Sequence, residues 1–431
     1  MTEKTLKHFE VLVVGAGPAG LATAASAANA GANVGVLDDN PDVGGQIWRN
    51  ERSRRNSETS KWATKLSAGK AEVLCGTTVV HHDLKSQTIF AEQCDGLFEV
   101  GFSKLIIATG ARERFLPFPG WTLPNVMAAG GLQAMVKSGL PIAGKRVVLA
   151  GTGPLLLAVA AYLRKHGANV LVICEQTSRN ALIGFAASLF RQPGKLAEAL
   201  AIEREIRPIP FWSNSWPVRA LGNEKLNGVI LSRSGKLNEL ACDYLACGFH
   251  LVPNIELASL LGCRLKNGYV EVDQLQQTSV PDVFCAGEPT GIGGLEISLI
   301  EGQIAGLAAT GKAGHTQDLR RKWQRSQSFA KNLERAFRLR PELKALPDRD
   351  TIVCRCEDVT HGRLAQYKSW RDAKNQTRCG MGPCQGRVCG PATQFLYGWQ
   401  QESIRPPILP VRLQNLAGMV SAQSKSTGEF Q

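Results

Sequence analysis

The chain has 431 residues, of which 44% are hydrophobic and 20% charged, and its formal net charge is +13. This length predicts two or three domains, and the composition excludes a largely disordered chain. No apolar run reaches the ~20 residues of a membrane-spanning helix, and the N-terminus "MTEKTLKHFEVLVVG" lacks an apolar signal core. We therefore expect a cytoplasmic protein, in which disulfides are the least expected use of twelve cysteines.

The first predicted elements form a dinucleotide-binding motif. "FEVLVVGAGPAGLATAASAANAGANVGVLDD" is an apolar strand, a glycine turn, an alanine-rich helix and a second apolar strand. The glycines allow a tight turn, a close approach to a pyrophosphate and close contact between helix and strand, and an acid at the end of the second strand can accept hydrogen bonds from a ribose. The residues expected at the cofactor are Gly15, Gly17, Pro18, Ala19, Gly20 and Asp38.

Three further segments favour FAD over NAD. "KLIIATGARER" ends a strand at Thr109 and Gly110, and "TSVPDVFCAGEPTG" ends a strand at Gly287 and Glu288. Both resemble the marker strands of two-dinucleotide-domain flavoprotein reductases, in which the acid after the last Ala-Gly binds the ribityl chain of FAD and is usually Asp rather than Glu. "GGQIW", with Gly45 and Gln46, resembles a loop that borders the flavin in several such families.

A second nucleotide fold is predicted by "GKRVVLAGTGPLLLAVAAYLRKHGANVLVICEQ". Gly151 and Gly153 are present and Glu175 is the acid, but Leu156 takes the third glycine position, where a bulky side chain is expected to loosen a pyrophosphate site. The domain therefore has three open interpretations: an NAD(P)H site, a structural domain, or a site for another adenine nucleotide.

Before residue 350 the rest of the sequence mainly argues against further catalytic or redox-active sites. No C-x-x-C pair occurs before Cys354, which argues against the redox-active disulfide of thioredoxin reductases, and no acid–base pair for substrate chemistry is evident. Cys242 and Cys247 have the C-x4-C spacing, but each lies in an apolar or strand-like context. We expect the isolated cysteines to be small buried hydrophobic residues. These are Cys75, Cys94, Cys174, Cys242, Cys247, Cys263 and Cys285.

The segment 312–349 holds eleven Lys and Arg against four Asp and Glu, an excess of seven positive charges. It predicts an amphipathic helix with Trp323, Phe329, Leu333 and Phe337 on its inner side. A solvated linker helix is the plainer interpretation, and a docking face for an acidic partner protein is the alternative. No nucleic-acid-binding motif accompanies the charge, so nucleic acid is not an expected partner.

Five cysteines follow, in "IVCRCED" and "TRCGMGPCQGRVCG". Zinc sites commonly use cysteine pairs separated by two to four residues, which fits this spacing poorly, whereas four thiolates suit a [2Fe–2S] cluster. Glycines beside the cysteines keep the backbone close, and Arg355, Arg378 and Arg387 would offset the charge of a thiolate-bound cluster. Zinc and disulfides remain the alternatives.

This segment resembles the bacterioferritin-associated-ferredoxin-type [2Fe–2S] domain, in the form found on one of the subunits of anaerobic glycerol-3-phosphate dehydrogenase. The resemblance implies Cys354, Cys356, Cys384 and Cys389 as ligands and makes Cys379 a spare thiol. The 27-residue spacer between Cys356 and Cys384 is shorter than that family's, which indicates trimmed helices.

Nearly the whole chain resembles a group of flavoproteins that comprises the A subunits of opine oxidases, the B subunits of hydrogen cyanide synthases and the α subunits of D-hydroxyproline and related amino-acid dehydrogenases. The resemblance rests on "VVGAGPAG", "GGQIWR", "ATGARERFLPFPGW", "FCAGEPTGIGG", "EGQIAG" and the cysteine segments. It implies a heteromer that oxidises the C–N bond of an opine or amino acid. The implied partner is a flavin amine-oxidase-like, substrate-binding subunit, and a third small subunit is a further candidate.

The expected fold is α/β, a two-dinucleotide-binding-domain flavoprotein with a small C-terminal [2Fe–2S] domain. The predicted domains are an FAD domain at 1–120 and 245–311, a second nucleotide domain at 121–244, a basic helical linker at 312–349, a [2Fe–2S] domain at 350–400 and a tail at 401–431. FAD and [2Fe–2S] on one chain suit conversion from two-electron to one-electron transfer, feeding a respiratory or other one-electron acceptor, through which the protein could associate with a membrane. The rivals are a stand-alone NAD(P)H-dependent ferredoxin-type reductase and a cofactor-free scaffold.

Overall fold

The structure, a computed structural model, describes residues 7–49, 58–67, 69–190, 192–401 and 404–417. The chain divides into two compact units, the first made of Met1–Ala111, Pro253–Gln327 and Ser403–Gln431, the second of Arg112–Val252 and Ser328–Glu402. The cysteine-rich segment predicted as a separate domain at 350–400 thus falls in the second unit, with the second nucleotide fold. Most of the predicted tail at 401–431 lies outside the described residues.

The first unit opens with the predicted strand–turn–helix–strand motif. Its elements are β1 (Lys7–Val14), α1 (Pro18–Asn29), β2 (Val34–Leu37), α2 (Glu58–Ser67), β3 (Ala71–Leu74), β4 (Thr78–Asp83), β5 (Thr88–Gln93) and β6 (Gly96–Ile107). The strand order is β3-β2-β1-β6-β5-β4, parallel from β3 to β6 and antiparallel from β6 to β4. The alanines of α1 are buried, because small side chains let the helix lie close to its neighbours.

The second unit repeats the motif. Its elements are β7 (Ala111–Glu113), β8 (Val126–Ala128), α3 (Ala129–Lys137), β9 (Arg146–Thr152), α4 (Pro154–Lys165), β10 (Asn169–Glu175), α5 (Arg179–Leu189), α6 (Pro193–Ile206), β11 (Phe211–Ser213), β12 (Ser215–Gly222), β13 (Leu226–Arg233), β14 (Lys236–Ala241), β15 (Tyr244–Phe249) and β16 (Leu251–Pro253). A parallel sheet has the order β11-β10-β9-β15-β8, and an antiparallel sheet has the order β12-β13-β14. Strand β9 is buried and apolar from Val147 to Gly151, as expected for a parallel sheet covered on both faces.

The chain then completes the first unit. The elements are α7 (Glu256–Leu260), β17 (Leu265–Lys266), β18 (Tyr269–Val270), β19 (Val283–Cys285), α8 (Gly294–Ala309), a 3₁₀ helix (Ala313–Thr316) and α9 (Gln317–Ala336). The residues of α9 after Gln327 belong to the second unit. Strand β19 pairs in parallel with β6. Helix α8 packs tightly on α1, because a Cβ at Gly302 would lie 2.2 Å from the carbonyl oxygen of Ala19 and one at Gly306 would lie 2.4 Å from that of Thr23.

Helix α9 is the predicted basic amphipathic helix. Trp323, Phe329 and Leu333 are half-buried, and Phe337, just beyond its end, is buried. Lys322 and Arg325 are exposed. The described part of the chain contains no helix long and apolar enough to cross a membrane.

The cysteine-rich segment completes the second unit. It contains a 3₁₀ helix (Pro341–Ala345), β20 (Ile352–Cys354), β21 (Val359–Thr360), α10 (His361–Leu364), α11 (Trp370–Thr377) and α12 (Cys389–Tyr397). Val353, Val359, Leu364 and Trp370 form a small apolar core around three of the cysteines. A short helix at 413–417 follows in the first unit.

All twelve cysteines are free thiols. Of the seven isolated ones, Cys174, Cys242, Cys247, Cys263 and Cys285 are buried, as expected. For Cys94 the prediction of burial was wrong, and Cys75 is only partly buried. Both follow the last residue of a strand, β5 and β3, and so lie in turns rather than in the sheet.

Candidate functional site

The glycine turn of the first unit has the geometry of a phosphate-binding turn. Gly15 has φ +108°, and a Cβ there would lie 2.3 Å from the carbonyl oxygen of Ala108. A Cβ at Gly20 would lie 1.8 Å from the carbonyl oxygen of Gly15, so the helix can begin this close to the turn only with glycine at that position. Helix α1 starts at Pro18 directly after Gly17, which directs its N-terminal N–H groups toward the turn.

The segment with Gly45 and Gln46 borders this turn. The amide of Gly44 donates to the carbonyl of Ala16 at 2.8 Å. A Cβ at Gly45 would lie 3.0 Å from the Cα of Gly17. The amide oxygen of Gln46 accepts a hydrogen bond from Arg49 at 3.2 Å. The structure therefore brings these two predicted site residues to the first glycine turn.

Asp38 follows β2 and is buried beside the same turn. Its Oδ2 accepts a hydrogen bond from the backbone N–H of Ala16. Its Oδ1 accepts from the backbone N–H and the side-chain amide of Asn40, both at 2.8 Å. These bonds fix the carboxylate at the strand end where an adenosine ribose lies in this kind of fold.

Glu288 supplies the sharpest test of whether the residues fit FAD. Its Oε1 accepts from the backbone N–H of Gly294 at 3.0 Å, whereas its buried Oε2 has no hydrogen-bond partner among the described residues. Burial raises the pKa of Glu288 to about 7. A buried acceptor without a partner is costly unless a ligand supplies the donor. The ribityl hydroxyls of FAD are such donors, so the residues fit the cofactor.

Thr109 and Gly110 lie after β6 in the same unit. The hydroxyl of Thr109 donates to the carbonyl of Asn254 at 2.6 Å, and the side-chain amide of Asn254 donates back to the carbonyl of Thr109 at 2.9 Å. Gly110 has φ +69°. These bonds hold the strand end in place, so Thr109 has a structural partner as well as its predicted position near the cofactor.

Glu301, in α8, was missed from the sequence. Its Oε2 accepts from the backbone N–H of Gly287 at 2.8 Å and from the hydroxyl of Thr290 at 2.9 Å, and its Oε1 accepts from the indole N–H of Trp323 at 2.7 Å. Burial raises its pKa to about 7. An acid inside the otherwise apolar "ISLIEGQIAG" was the available signal. Glu301 thus holds the turn that carries Glu288.

The second glycine turn is equally tight but its acid is internally satisfied. A Cβ at Gly151 would lie 1.9 Å from the carbonyl oxygen of Gly248. The buried carboxylate of Glu175 accepts from the amide of Gly153 at 2.8 Å, the hydroxyl of Thr152 at 2.9 Å and the amide of Thr177 at 2.8 Å. Burial raises the pKa of Glu175.

Leu156, at the third glycine position of this turn, is 1% exposed and belongs to an apolar cluster with Val147, Leu149 and Val159. The bulky side chain is therefore part of the core between α4 and the sheet.

The five clustered cysteines come together in the second unit. The sulfur atoms of Cys354, Cys379 and Cys389 all lie within 4.8 Å of one another, and all three residues are buried. Cys384 is hydrogen-bonded to Cys389 and to Cys356, which is exposed. The three mutually close sulfurs therefore include two of the four predicted ligands, Cys354 and Cys389, together with Cys379, the predicted spare thiol. Cys384 and Cys356 lie next to this group.

The thiols perturb one another strongly. Hydrogen bonds from Cys379 and Cys389 lower the pKa of Cys354 to about 2, and a hydrogen bond from Cys389 lowers that of Cys384 to about 5. Hydrogen bonding to Cys354 raises the pKa of Cys379 to about 12. Such a set of converging soft sulfur donors suits zinc or an iron–sulfur cluster.

Glycines around the cysteines permit the close packing expected from the sequence. A Cβ at Gly382 would lie 2.3 Å from the Cβ of Cys356. Of the three arginines, Arg378 pairs with Glu357 at 2.8 Å, so its charge is partly neutralised locally. Arg387 donates to the carbonyl of Cys384 at 3.5 Å, and Arg355 is exposed.

Comparisons with known proteins agree with this geometry. The family model described as pyridine nucleotide-disulphide oxidoreductase matches residues 9–301. The A subunit of opine oxidase from Rhizobium meliloti is 28% identical over 96% of this chain and 89% of its own length. The HcnB subunit of hydrogen cyanide synthase from Pseudomonas aeruginosa is 29% identical over 89% of this chain and 91% of its own length.

A solved structure of L-proline dehydrogenase from P. horikoshii has a TM-score of 0.68 and 18% identity, covering 96% of this chain and 81% of that chain. The predicted two-dinucleotide-binding fold and the predicted resemblance are confirmed. The matched family implies FAD. The five clustered cysteines lie beyond the matched range.

Proposed function

Because the chain belongs to the pyridine nucleotide-disulphide oxidoreductase family, we propose that it is the electron-transferring flavoprotein subunit of a heteromeric opine oxidase or dehydrogenase. The complex cleaves the C–N bond of an opine such as octopine or nopaline oxidatively, giving L-arginine and a 2-oxo acid. The observation that carries the proposal is the similarity to the A subunit of opine oxidase over 96% of the chain.

The proposed reaction divides between subunits. The C–N bond of the opine loses two electrons and two protons and becomes an imine, and water then adds and releases the amino acid and the 2-oxo acid. We place this step on a partner of the flavin amine-oxidase kind, as the resemblance implies, and a third small subunit is a further candidate. The chain described here receives the two electrons.

The residues of this chain then have defined tasks. The turn at Gly15 and Gly17 receives the pyrophosphate of FAD, Asp38 its adenosine ribose, and the free Oε2 of Glu288 a ribityl hydroxyl. Glu301 positions Glu288 by holding the amide of Gly287. FAD held by these residues would supply a group able to take up two electrons together and release them singly.

The cysteine cluster completes the proposal. Cys354, Cys356, Cys384 and Cys389 hold a [2Fe–2S] cluster, which carries one electron at a time. The proximity of their thiols supports this assignment. The electrons leave to a respiratory-chain or other one-electron acceptor, and we propose a cytoplasmic location, with membrane association only through that acceptor.

The partner protein has a candidate docking face. Helix α9 exposes Arg321, Lys322 and Arg325, and its positive charge suits an acidic surface. Attraction of this kind raises association rates most at low salt, because ions screen exposed charges beyond about 8–10 Å at physiological ionic strength.

The substrate distinguishes opine oxidation from its nearest alternatives. A component of hydrogen cyanide synthase or of a D-hydroxyproline or amino-acid dehydrogenase would have the same fold and cofactors, and the similarity to HcnB favours the former. The test is co-expression with a subunit of the flavin amine-oxidase kind that the resemblance implies. The complex is then assayed with octopine, nopaline, D-hydroxyproline and glycine and an artificial dye as electron acceptor.

We expect dye reduction with octopine or nopaline by the complex and none by either protein alone. Activity only with glycine or D-hydroxyproline would replace the proposal by one of its alternatives. A stand-alone NAD(P)H-dependent ferredoxin-type reductase, which the family's name favours, is tested by adding NADH to the single chain without oxygen. Rapid bleaching of the flavin absorbance would establish that function and overturn ours.

A further inference from the structure

A short segment after α9 lies at the second glycine turn. In a parallel nucleotide-binding sheet the ligand lies at the carboxyl ends of the strands, which here include Thr152 of β9. The carbonyl oxygen of Phe337 accepts from the hydroxyl of Thr152 at 3.3 Å and from the Nε2 of His250 at 2.6 Å. Since Thr152 also bonds Glu175 at 2.9 Å, Phe337 lies beside the acid that would bind an adenosine ribose.

Gln176, the residue directly after β10, hydrogen-bonds the same segment. Its fully buried side chain donates to the carbonyl of Arg338 at 3.2 Å and accepts from the backbone N–H of Arg340 at 3.1 Å. One amide therefore satisfies a donor and an acceptor of the segment, as a neighbouring strand would. Gln176 directly follows Glu175, so this contact lies at the adenosine end of the turn.

Side chains anchor the segment on both sides. The buried ring of Phe337 meets Phe185 edge to face, with ring centroids 5.1 Å apart. The guanidinium group of Arg340 lies 5.2 Å above the ring of Trp216 and donates to Asn214. Beyond it, Leu343 is fully buried in the core of the second unit. Because the side chains of Phe337 and Leu343 are buried, the segment is packed into the core of the second unit and does not merely lie on its surface.

The segment leads to the cysteines. The indole N–H of Trp121 donates to the carbonyl of Ile352 at 2.6 Å, two residues before Cys354, and Arg219 pairs with Asp348 at 3.3 Å. Arg112 donates to the carbonyl of Arg387 at 3.1 Å. The second nucleotide fold thus holds the chain on either side of the cysteine cluster.

We infer that residues 337–340 fill the adenosine position of the second nucleotide fold, so that this fold takes neither NAD(P)H nor another adenine nucleotide and instead anchors the cysteine-bearing segment. The family's pyridine nucleotide does not fit here, because the backbone of residues 337–340 occupies the space beside Thr152 and Gln176. His250 contributes to this anchoring through its hydrogen bond to the carbonyl of Phe337.

The first experiment is a calorimetric titration of the FAD-loaded full chain with NADH, NADPH, ADP and ATP. FAD saturation keeps nucleotides out of the first unit, so any saturable binding reports on the second. We expect no binding up to millimolar concentrations, near the practical limit of weak affinity. Binding of one nucleotide per chain would overturn the inference.

The second experiment uses hydrogen exchange and mass spectrometry to test whether Gln176 holds residues 337–340 in place. Gln176→Ala removes both bonds to the segment, and we expect exchange in peptides covering 337–346 to become about tenfold faster or more. The exposed Gln366 provides the matched control, Gln366→Ala, which should leave these peptides unchanged. Unchanged exchange in Gln176→Ala would refute the anchoring.

These results do not depend on the proposed substrate. Opine-dependent dye reduction by the complex can fail while the nucleotide titration still shows no binding, and the reverse can also occur. Failure of the chain to retain FAD would count against the proposed function alone, since residues 337–340 and their partners all belong to the second unit. The hydrogen-exchange comparison does not need FAD and would then decide the inference.

Discussion

The indole N–H of Trp323 donates to the carboxylate of Glu301 at 2.7 Å, and through Glu301 the basic helix α9 is joined to the turn at Gly287 and Glu288. A buried carboxylate with three donors is stable only while all three remain. Helix α9 is therefore fastened to the proposed FAD site by one side chain, although none of its own residues is fully buried.

Trp323→Phe should weaken the first unit and its cofactor affinity. The change removes one donor to Glu301 while keeping an aromatic ring, and a hydrogen bond to a charged group is worth about 1.5–3 kcal/mol. We expect a loss of about 1–2 kcal/mol in the free energy of unfolding and a several-fold weaker affinity for FAD, measured by denaturant titration and flavin fluorescence.

For this change the exposed Lys322→Ala on the same helix is the control and should alter neither quantity. A Trp323→Phe variant with unchanged FAD affinity would show that α9 does not support the cofactor site.

Glu301 should make stability fall with rising pH. Burial raises its folded-state pKa from 4.5 to about 7, so between these values the folded state binds more protons than the unfolded state. The free energy of unfolding of the FAD-free protein therefore decreases as pH rises from about 4.5 to about 7, by at most about 3 kcal/mol for this one group.

The measurement is denaturant unfolding of wild type and Glu301→Gln at several pH values. Gln does not titrate, so the stability difference between wild type and variant should shrink as pH rises through this window. The exposed Glu224→Gln serves as control and should show the wild-type dependence. A difference that stays constant or grows with pH would contradict the assignment.

Glu288→Ala should reduce affinity for FAD about tenfold or more. Its buried Oε2 has no partner among the described residues, and loss of a hydrogen bond to a ribityl hydroxyl corresponds to about 1.5 kcal/mol. The flavin content of purified protein and the dissociation constant from fluorescence quenching measure the effect, with Glu224→Ala as control. Equal FAD affinity in variant and wild type would place the ribityl chain elsewhere.

The first glycine turn could be predicted from sequence because its constraints are local and absolute. Gly15 and Gly20 are required by contacts with Ala108 and with the turn itself, which any side chain would violate. The spacing of glycines and acid therefore defines the geometry. Glu288, by contrast, was predicted from the resemblance of its strand end to the marker strands of flavoprotein reductases.

Glu301 and residues 337–340 could not be predicted in this way. Glu301 meets Gly287 and Trp323 across 14 and 22 positions, and Arg340 meets Gln176 across 164. The contacts of Glu301 arise from packing within the first unit and that of Arg340 from packing within the second unit, and no local pattern encodes either. Sequence periodicity described α9 as a linker helix and gave no indication that the residues after it enter a nucleotide fold.

The cysteine cluster offers the most decisive test. Cys354→Ala should abolish iron and acid-labile sulfide in the purified protein, together with the electron paramagnetic resonance signal after dithionite reduction, because Cys354 is a predicted ligand at the centre of the thiol cluster. The exposed, isolated Cys94→Ala is the control and should retain all three signals. Zinc without sulfide in the wild-type protein would exclude the iron–sulfur assignment.

Cys379→Ala tests whether Cys379 is a ligand of the cluster or only lies beside the ligands. If the resemblance assigns the ligands correctly, this variant keeps its iron and sulfide, since Cys354, Cys356, Cys384 and Cys389 remain. Its paramagnetic signal and midpoint potential should still shift, because the sulfur of Cys379 lies within 4.8 Å of those of two ligands and hydrogen bonds to cluster sulfurs tune the potential. Cluster loss in Cys379→Ala but not in Cys356→Ala would instead make Cys379 a ligand and the exposed Cys356 the spare thiol.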